Sequence, residues 1–98
     1  MRTMLKVSFP AVAGSRVIKD GSLPKMVESF MQQYKPEAAY FLPSGGKRTM
    51  MFVSDMPDAT HLPSVAEPFF AGLEADISLS PVMNLDDLRV GLERVMKK

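Results

Sequence analysis

AAYFLPSGGKRTMMFVSD, residues 38–55, decides how the rest of the chain is read. It sets Gly45-Gly46-Lys47 between two apolar runs, so it reads either as a loop that grips phosphate or as a hairpin turn. A phosphate loop needs two glycines with four residues between them, then Lys and Ser or Thr, between a strand and a helix whose N-terminal amides face the anion. Here that spacing is absent, Arg48 stands where Ser or Thr is required, and the run that follows has strand character. Two glycines joining two apolar runs give the positive φ angles of a tight hairpin. The stretch is therefore a strand over 37–42, a turn over 43–47 and a strand over 48–54.

Working outward, Leu5, Val7 and Phe9 alternate with Met4, Lys6 and Ser8, a period of two that marks a strand with one buried face. Pro10 ends it, and residues 10–21, with two glycines and no sustained period, read as a long loop. Ser22 suits a helix cap, and Met26, Val27, Phe30, Met31 and Tyr34 then share one helical face up to Pro36. Leu62, Val65, Ala66, Phe69, Phe70 and Leu73 form a second stripe. Pro63 and Pro68 oppose it, so the spacing predicts an irregular helix from about Asp58 to Ala71, closed near Gly72. Ile77 and Leu79 alternate with Asp76, Ser78 and Ser80 in a fourth strand ending at Pro81. Asn84 then caps a last helix whose first turn carries Asp86 and Asp87, whose stripe is Leu85, Leu88, Leu92, Val95 and Met96, and whose end carries Lys97 and Lys98.

Strand, helix, strand, strand, helix, strand, helix is the order of two split β-α-β units around a central hairpin. The expected fold is a single α+β domain over residues 1–98: a ferredoxin-like βαββαβ antiparallel sheet with both main helices on one face, plus a C-terminal helix.

Composition narrows the function. The 98 residues are 46% hydrophobic and 23% charged, ordinary for a globular domain, and the net charge of +1 with scattered Lys and Arg gives no footprint for nucleic acid. With no cysteine, disulfides and thiolate metal sites are excluded. Nine methionines read mainly as core filler, with adaptable apolar surface as the other use. The start mimics a leader at Ala11-Val12-Ala13, but Lys6 and Pro10 break the apolar run that a leader needs. No run reaches membrane-span length. The expectation is a cytoplasmic protein that engages neither membrane nor nucleic acid.

The sheet's second face should carry Met4, Lys6, Ser8, Asp76, Ser78 and Ser80, with one of Tyr40 or Phe41, and with either Met50 and Phe52 or Thr49, Met51 and Val53. That surface is too apolar for ordinary solvation and too polar for a sealed core, which marks an interface or ligand site. Two copies packed face to face would enclose a chamber lined by a few polar groups. AEPFFAGLEADISLSPVMNLDDLRVGLERV, residues 66–95, together with the order of elements, resembles a family of small uncharacterised proteins in the dimeric α+β barrel superfamily. The resemblance implies a homodimer with a central barrel. The wider superfamily includes cofactor-free monooxygenases, muconolactone isomerase-like enzymes, haem-degrading or chlorite-converting proteins, and ligand-sensing regulators. No catalytic motif carries over from the immediate family.

Candidate cavity residues are Lys6, Ser8, Tyr40, Arg48, Asp76, Ser78 and Ser80. Lys6 and Asp76 should lie on neighbouring strands, where they pair, reach water or bind something. Tyr40 offers a hydroxyl, and the serines, without a histidine to activate them, read as polar lining. Arg48 starts a strand and could clamp a carboxylate at the barrel mouth, although a solvated arginine is the preferred reading. His61, the only histidine, falls in the first turn of an outer helix and reads as a solvated or capping residue. A lone histidine gives no metal site, and no cofactor is expected. Three functions remain: a barrel binding a small, partly apolar molecule in its cavity; a cofactor-free oxygenase or isomerase using Lys6, Asp76 and Tyr40; and a module that docks another protein on the sheet face.

Overall fold

The computed structural model describes residues 1–97. Lys98, expected at the end of the last helix, lies outside the described residues. The chain runs β1 (Arg2–Phe9), α1 (Ala11–Lys19), α2 (Ser22–Tyr34), β2 (Ala38–Ser44), β3 (Lys47–Asp55), a short 3₁₀ turn (Ala59–His61), α3 (Leu62–Leu73), β4 (Asp76–Pro81) and α4 (Leu85–Met96). It is an α+β fold whose four antiparallel strands stand in the order β2-β3-β1-β4. Each helical crossover therefore joins strands separated by one other strand. The first crossover holds two helices, α1 and α2, where a simple ferredoxin-like unit has one.

The hairpin is tighter than expected. Gly45 and Gly46 alone form the turn, at φ of 60° and 76°, the pair of positive values that a type I′ turn demands. Ser44 pairs with Lys47 across it, so Pro43, opposite Arg48, occupies the next, non-bonded position, with its nitrogen on the outer edge of β2. The sheet's prolines sit only in the outer strands, Pro43 in β2 and Pro81 in β4, where a missing donor breaks no interior ladder.

Residues 10–21 are mostly helix, not loop. Pro10 takes φ −61° at the N-cap, and Ala13, Gly14 and Val17 turn one buried face of α1 to the body. Gly14 weakened the helical signal, yet packing requires it: a Cβ there would lie 2.5 Å from Arg48 Cδ and 2.8 Å from the Phe9 ring. At the start of α2 the capping differs from expectation, because Gly21 holds the N-cap position at φ 80°. The Asp20 carboxylate accepts from the Ser22 amide at 2.8 Å and from its hydroxyl at 2.6 Å.

α3 tolerates both prolines. Pro63 sits in the first turn, where its missing donor has no intrahelical acceptor to lose, and Pro68 is accommodated within the helix. Asp58 caps the preceding 3₁₀ turn, accepting from the Thr60 amide at 2.9 Å. α3 ends beyond Gly72, at Leu73, with Glu74 in the left-handed region at φ 53°.

The core lies between one sheet face and the helices. Leu5, Val7 and Phe9 of β1 meet Met50 and Phe52 of β3, then Val17, Phe30, Val65, Phe69 and Leu73 from α1, α2 and α3. The Phe30 ring packs tilted against Phe52 at 4.4 Å and against Phe69 at 5.7 Å, centroid to centroid. α4 is different, for none of its residues is buried. The radius of gyration is 15.7 Å, against about 13 Å for a compact chain of this length. α4 stands off the body, tied at its root by Arg2 Nη1 to Asp87 Oδ2 at 3.0 Å. Among the described residues no helix is long and apolar enough to cross a membrane.

Candidate functional site

Register decides which residues share the uncovered face. Lys6 lies opposite Met51 and Ser78, Ser8 opposite Thr49 and Asp76, and Met4 opposite Val53 and Ser80. Tyr40 pairs with Met51 and Leu42 with Thr49. The face thus holds Tyr40 and not Phe41, and Thr49, Met51 and Val53 in place of Met50 and Phe52. Phe41 points to the helix side, edge-on to Phe52 at 6.0 Å.

Six of the seven expected residues come together here, and Arg48 does not. Opposite Phe9, it lies on the helix-covered side. There, with Phe9, Leu23, Val27, Phe41 and Met50, it lines a groove of about 460 Å³ between the hairpin and the first two helices. The sequence could not place that groove, because residues 10–21 read as loop and the parity of β3 was open. His61 also belongs to the helix side; its carbonyl accepts from the Ser64 hydroxyl at 3.0 Å.

The open face divides into two halves. Lys6, Ser8, Lys47, Asp76 and Ser78 border a depression of about 380 Å³ near the hairpin. Met4, Tyr40, Met51 and Val53 form the apolar half, with Tyr40 66% exposed. The expected Lys6–Asp76 pair is absent, because Lys47 Nζ reaches Asp76 Oδ2 at 2.8 Å from across the depression. Both members of that pair are substantially solvated, so it adds little stability. Lys6, half-buried on a central strand, has no carboxylate within 4.0 Å among the described residues. The Ser8 and Thr49 hydroxyls lie 3.2 Å apart, and the Ser80 hydroxyl donates to the Pro81 carbonyl at 3.1 Å. Serine hydroxyls without an imidazole beside them have no base to make them nucleophiles.

At the far end of the same face, Arg2 Nε meets Glu37 Oε1 at 2.5 Å while its Nη1 holds Asp87. The Glu37 carboxylate beside it raises the guanidinium's pKa further above its usual value. One arginine therefore joins the start of β1, the residue just before β2 and the root of α4. Among the described residues, no group of three or more His, Cys, Asp and Glu side chains is placed to hold a metal ion. No family model matches the chain, and no curated protein matches it.

Proposed function

We propose that this chain is one half of a dimeric α+β barrel of ferredoxin-like type, working in the cytoplasm, and that its open sheet face closes on a second copy around a small, partly apolar ligand. The order β2-β3-β1-β4 supports the ferredoxin-like part, since each crossover skips one strand. The face itself supports the chamber, being half polar depression and half methionine, valine and tyrosine. A ligand site of this kind joins an apolar wall to a few convergent polar groups.

The observation that carries the reading is Lys6. A half-buried ammonium on a central strand, without a carboxylate partner among the described residues, becomes costly once a second copy excludes water. A ligand that brings an oxyanion supplies the missing charge, while Met4 and Met51 fit its apolar body. The ligand is thus a small aromatic or aliphatic acid. No bond-making step is assigned to it.

The test is a titration with benzoate and with neutral benzamide, followed by methyl NMR of Met4 and Met51. Benzoate is expected to shift both methyls, and Lys6→Met to weaken its binding by about 10-fold or more while leaving benzamide unchanged. Equal binding of acid and amide, or no effect of Lys6→Met, overturns the reading.

A further inference from the structure

The least explained part of the molecule is α4. Leu85, Leu88, Leu92 and Val95 follow one another at steps of three, four and three, so they line a single seam. Every one of them is exposed, from 40% at Leu88 to 63% at Leu85 and Val95. A 12-residue helix is marginal in water by itself, and helices in proteins owe most of their stability to a packed apolar face. Yet α4 is well built locally. Asn84 Oδ1 accepts from the Asp87 amide at 2.8 Å, and Asp87 returns a bond from the Asn84 amide at 3.1 Å. A helix this carefully started, with its seam uncovered in the single chain, needs a cover from outside.

We infer that the seam of α4 is covered by α4 of a second copy, the two helices running antiparallel. This rests on the two-fold sheet-face assembly proposed above and gives it a second contact. Arg2 belongs to the open face and grips Asp87, so α4 rises from the border of the surface that meets the second copy. Charge chooses the direction. The root carries Asp86 and Asp87, partnered by Arg89 at 3.6 Å and Arg2 at 3.0 Å, and the tip carries Arg94 and Lys97 with Glu93 as the single acid. Antiparallel arms keep the two basic tips apart, set each beside the root aspartates of the other copy and oppose the helix dipoles. Leu88 then meets Leu92 of the second copy, and Leu85 meets Val95, a symmetric contact that closes on two copies.

Area argues the same way. Four strands about 4.8 Å apart and six to nine residues long make a face of roughly 500 Å² in projection, whereas a stable interface removes about 800 Å² of accessible surface from each partner. Two arms, each about 18 Å long, bring the contact closer to that size.

The experiment uses the full chain, which has no cysteine of its own. Chains bearing Leu88→Cys and Leu92→Cys are oxidised separately and as a mixture. Antiparallel arms cross-link the mixture and leave either chain alone largely uncoupled; preferential self-coupling of Leu88→Cys overturns the arrangement. A second variant, Leu88→Glu with Leu92→Glu, keeps good helix formers at exposed positions, so the monomer should fold normally. Light scattering over a dilution series should show its dimer weakened by about 100-fold or more. A dimer unchanged within about twofold overturns the arm, and so does dissociation without the mixed cross-link. Tyr40→Glu, on the sheet face, separates the two ideas. If it alone dissociates the dimer, the sheet-face assembly stands and the arm falls; if only the α4 variant does so, the arm stands and the sheet-face assembly falls. A wild-type monomer with rapidly exchanging α4 amides overturns both and leaves a foreign protein as the cover.

Discussion

α3 and α4 are each 12 residues long, and each carries an apolar stripe. α3 has the worse local sequence, with Pro63 and Pro68 inside it. α4 has the better one, with a reciprocal cap and two aspartates in its first turn. Nevertheless α3 buries Val65, Ala66, Phe69 and Leu73, and α4 buries nothing. Local chemistry decides whether a helix starts and stops. Whether its stripe is satisfied depends on what the topology places beside it, and α4 follows the last strand, when the sheet's covered face is already occupied.

That contrast can be broken first at Phe69, 1% exposed among Phe30, Phe52 and Leu73. Phe69→Ala removes a ring from the centre of the core and is expected to cost about 3–5 kcal/mol, a large share of the 5–15 kcal/mol typical of such domains. Leu92→Ala, at the matching place on α4, should change monomer stability by no more than about 0.5 kcal/mol. Urea unfolding at low protein concentration measures both. Equal costs would mean that α4 is packed within a single chain, contrary to the structure.

A subtler probe is the cap. Asn84→Ala removes the acceptor for the Asp87 amide and should cost about 1 kcal/mol of helix stability. The loss should appear as faster amide exchange confined to α4, with α3 unchanged. Coupled loosening of α3 would show that the two helices communicate through the body.

The smallest effect concerns pH. The Thr60 hydroxyl and amide hold the Asp58 carboxyl below its usual 3.8, and the Ser22 hydroxyl and amide do the same for Asp20. A carboxylate lowered in the folded state stabilises fully above its unfolded value, and the gain is lost as pH falls through the folded value. Acid titration should thus loosen the 3₁₀ turn ahead of α3 and the start of α2 below about pH 4, leaving α4 unaffected by these two groups. Asp58→Asn should flatten the slope of stability against pH in that range. An unchanged slope would remove Asp58 from the explanation.

The contrast between neighbours also explains what could be read from the chain. The hairpin, the four strands and three of the helices were legible because period and punctuation are local properties. α1 was not, since Gly14 lowers helical propensity in sequence and its reason, the passage of Arg48 and Phe9, is tertiary. The open face was legible except for its parity. Tyr40 or Phe41, and Met51 or Phe52, could be chosen only through the pairings of β3 with β1 and β2. Arg48 went to the wrong side for the same reason. Lys47, which takes Asp76 away from Lys6, was hidden because a lysine beside a turn carries no signal of where its ammonium will reach.

Pro43 has one more consequence. Opposite Arg48, it offers the outer rim of β2 no amide hydrogen, so a strand arriving there finds the ladder interrupted at once. The chain is thereby defended against growing sideways into an endless ribbon, a hazard for any small protein whose sheet is half bare. Any association of copies is thereby steered away from that edge and towards other surfaces.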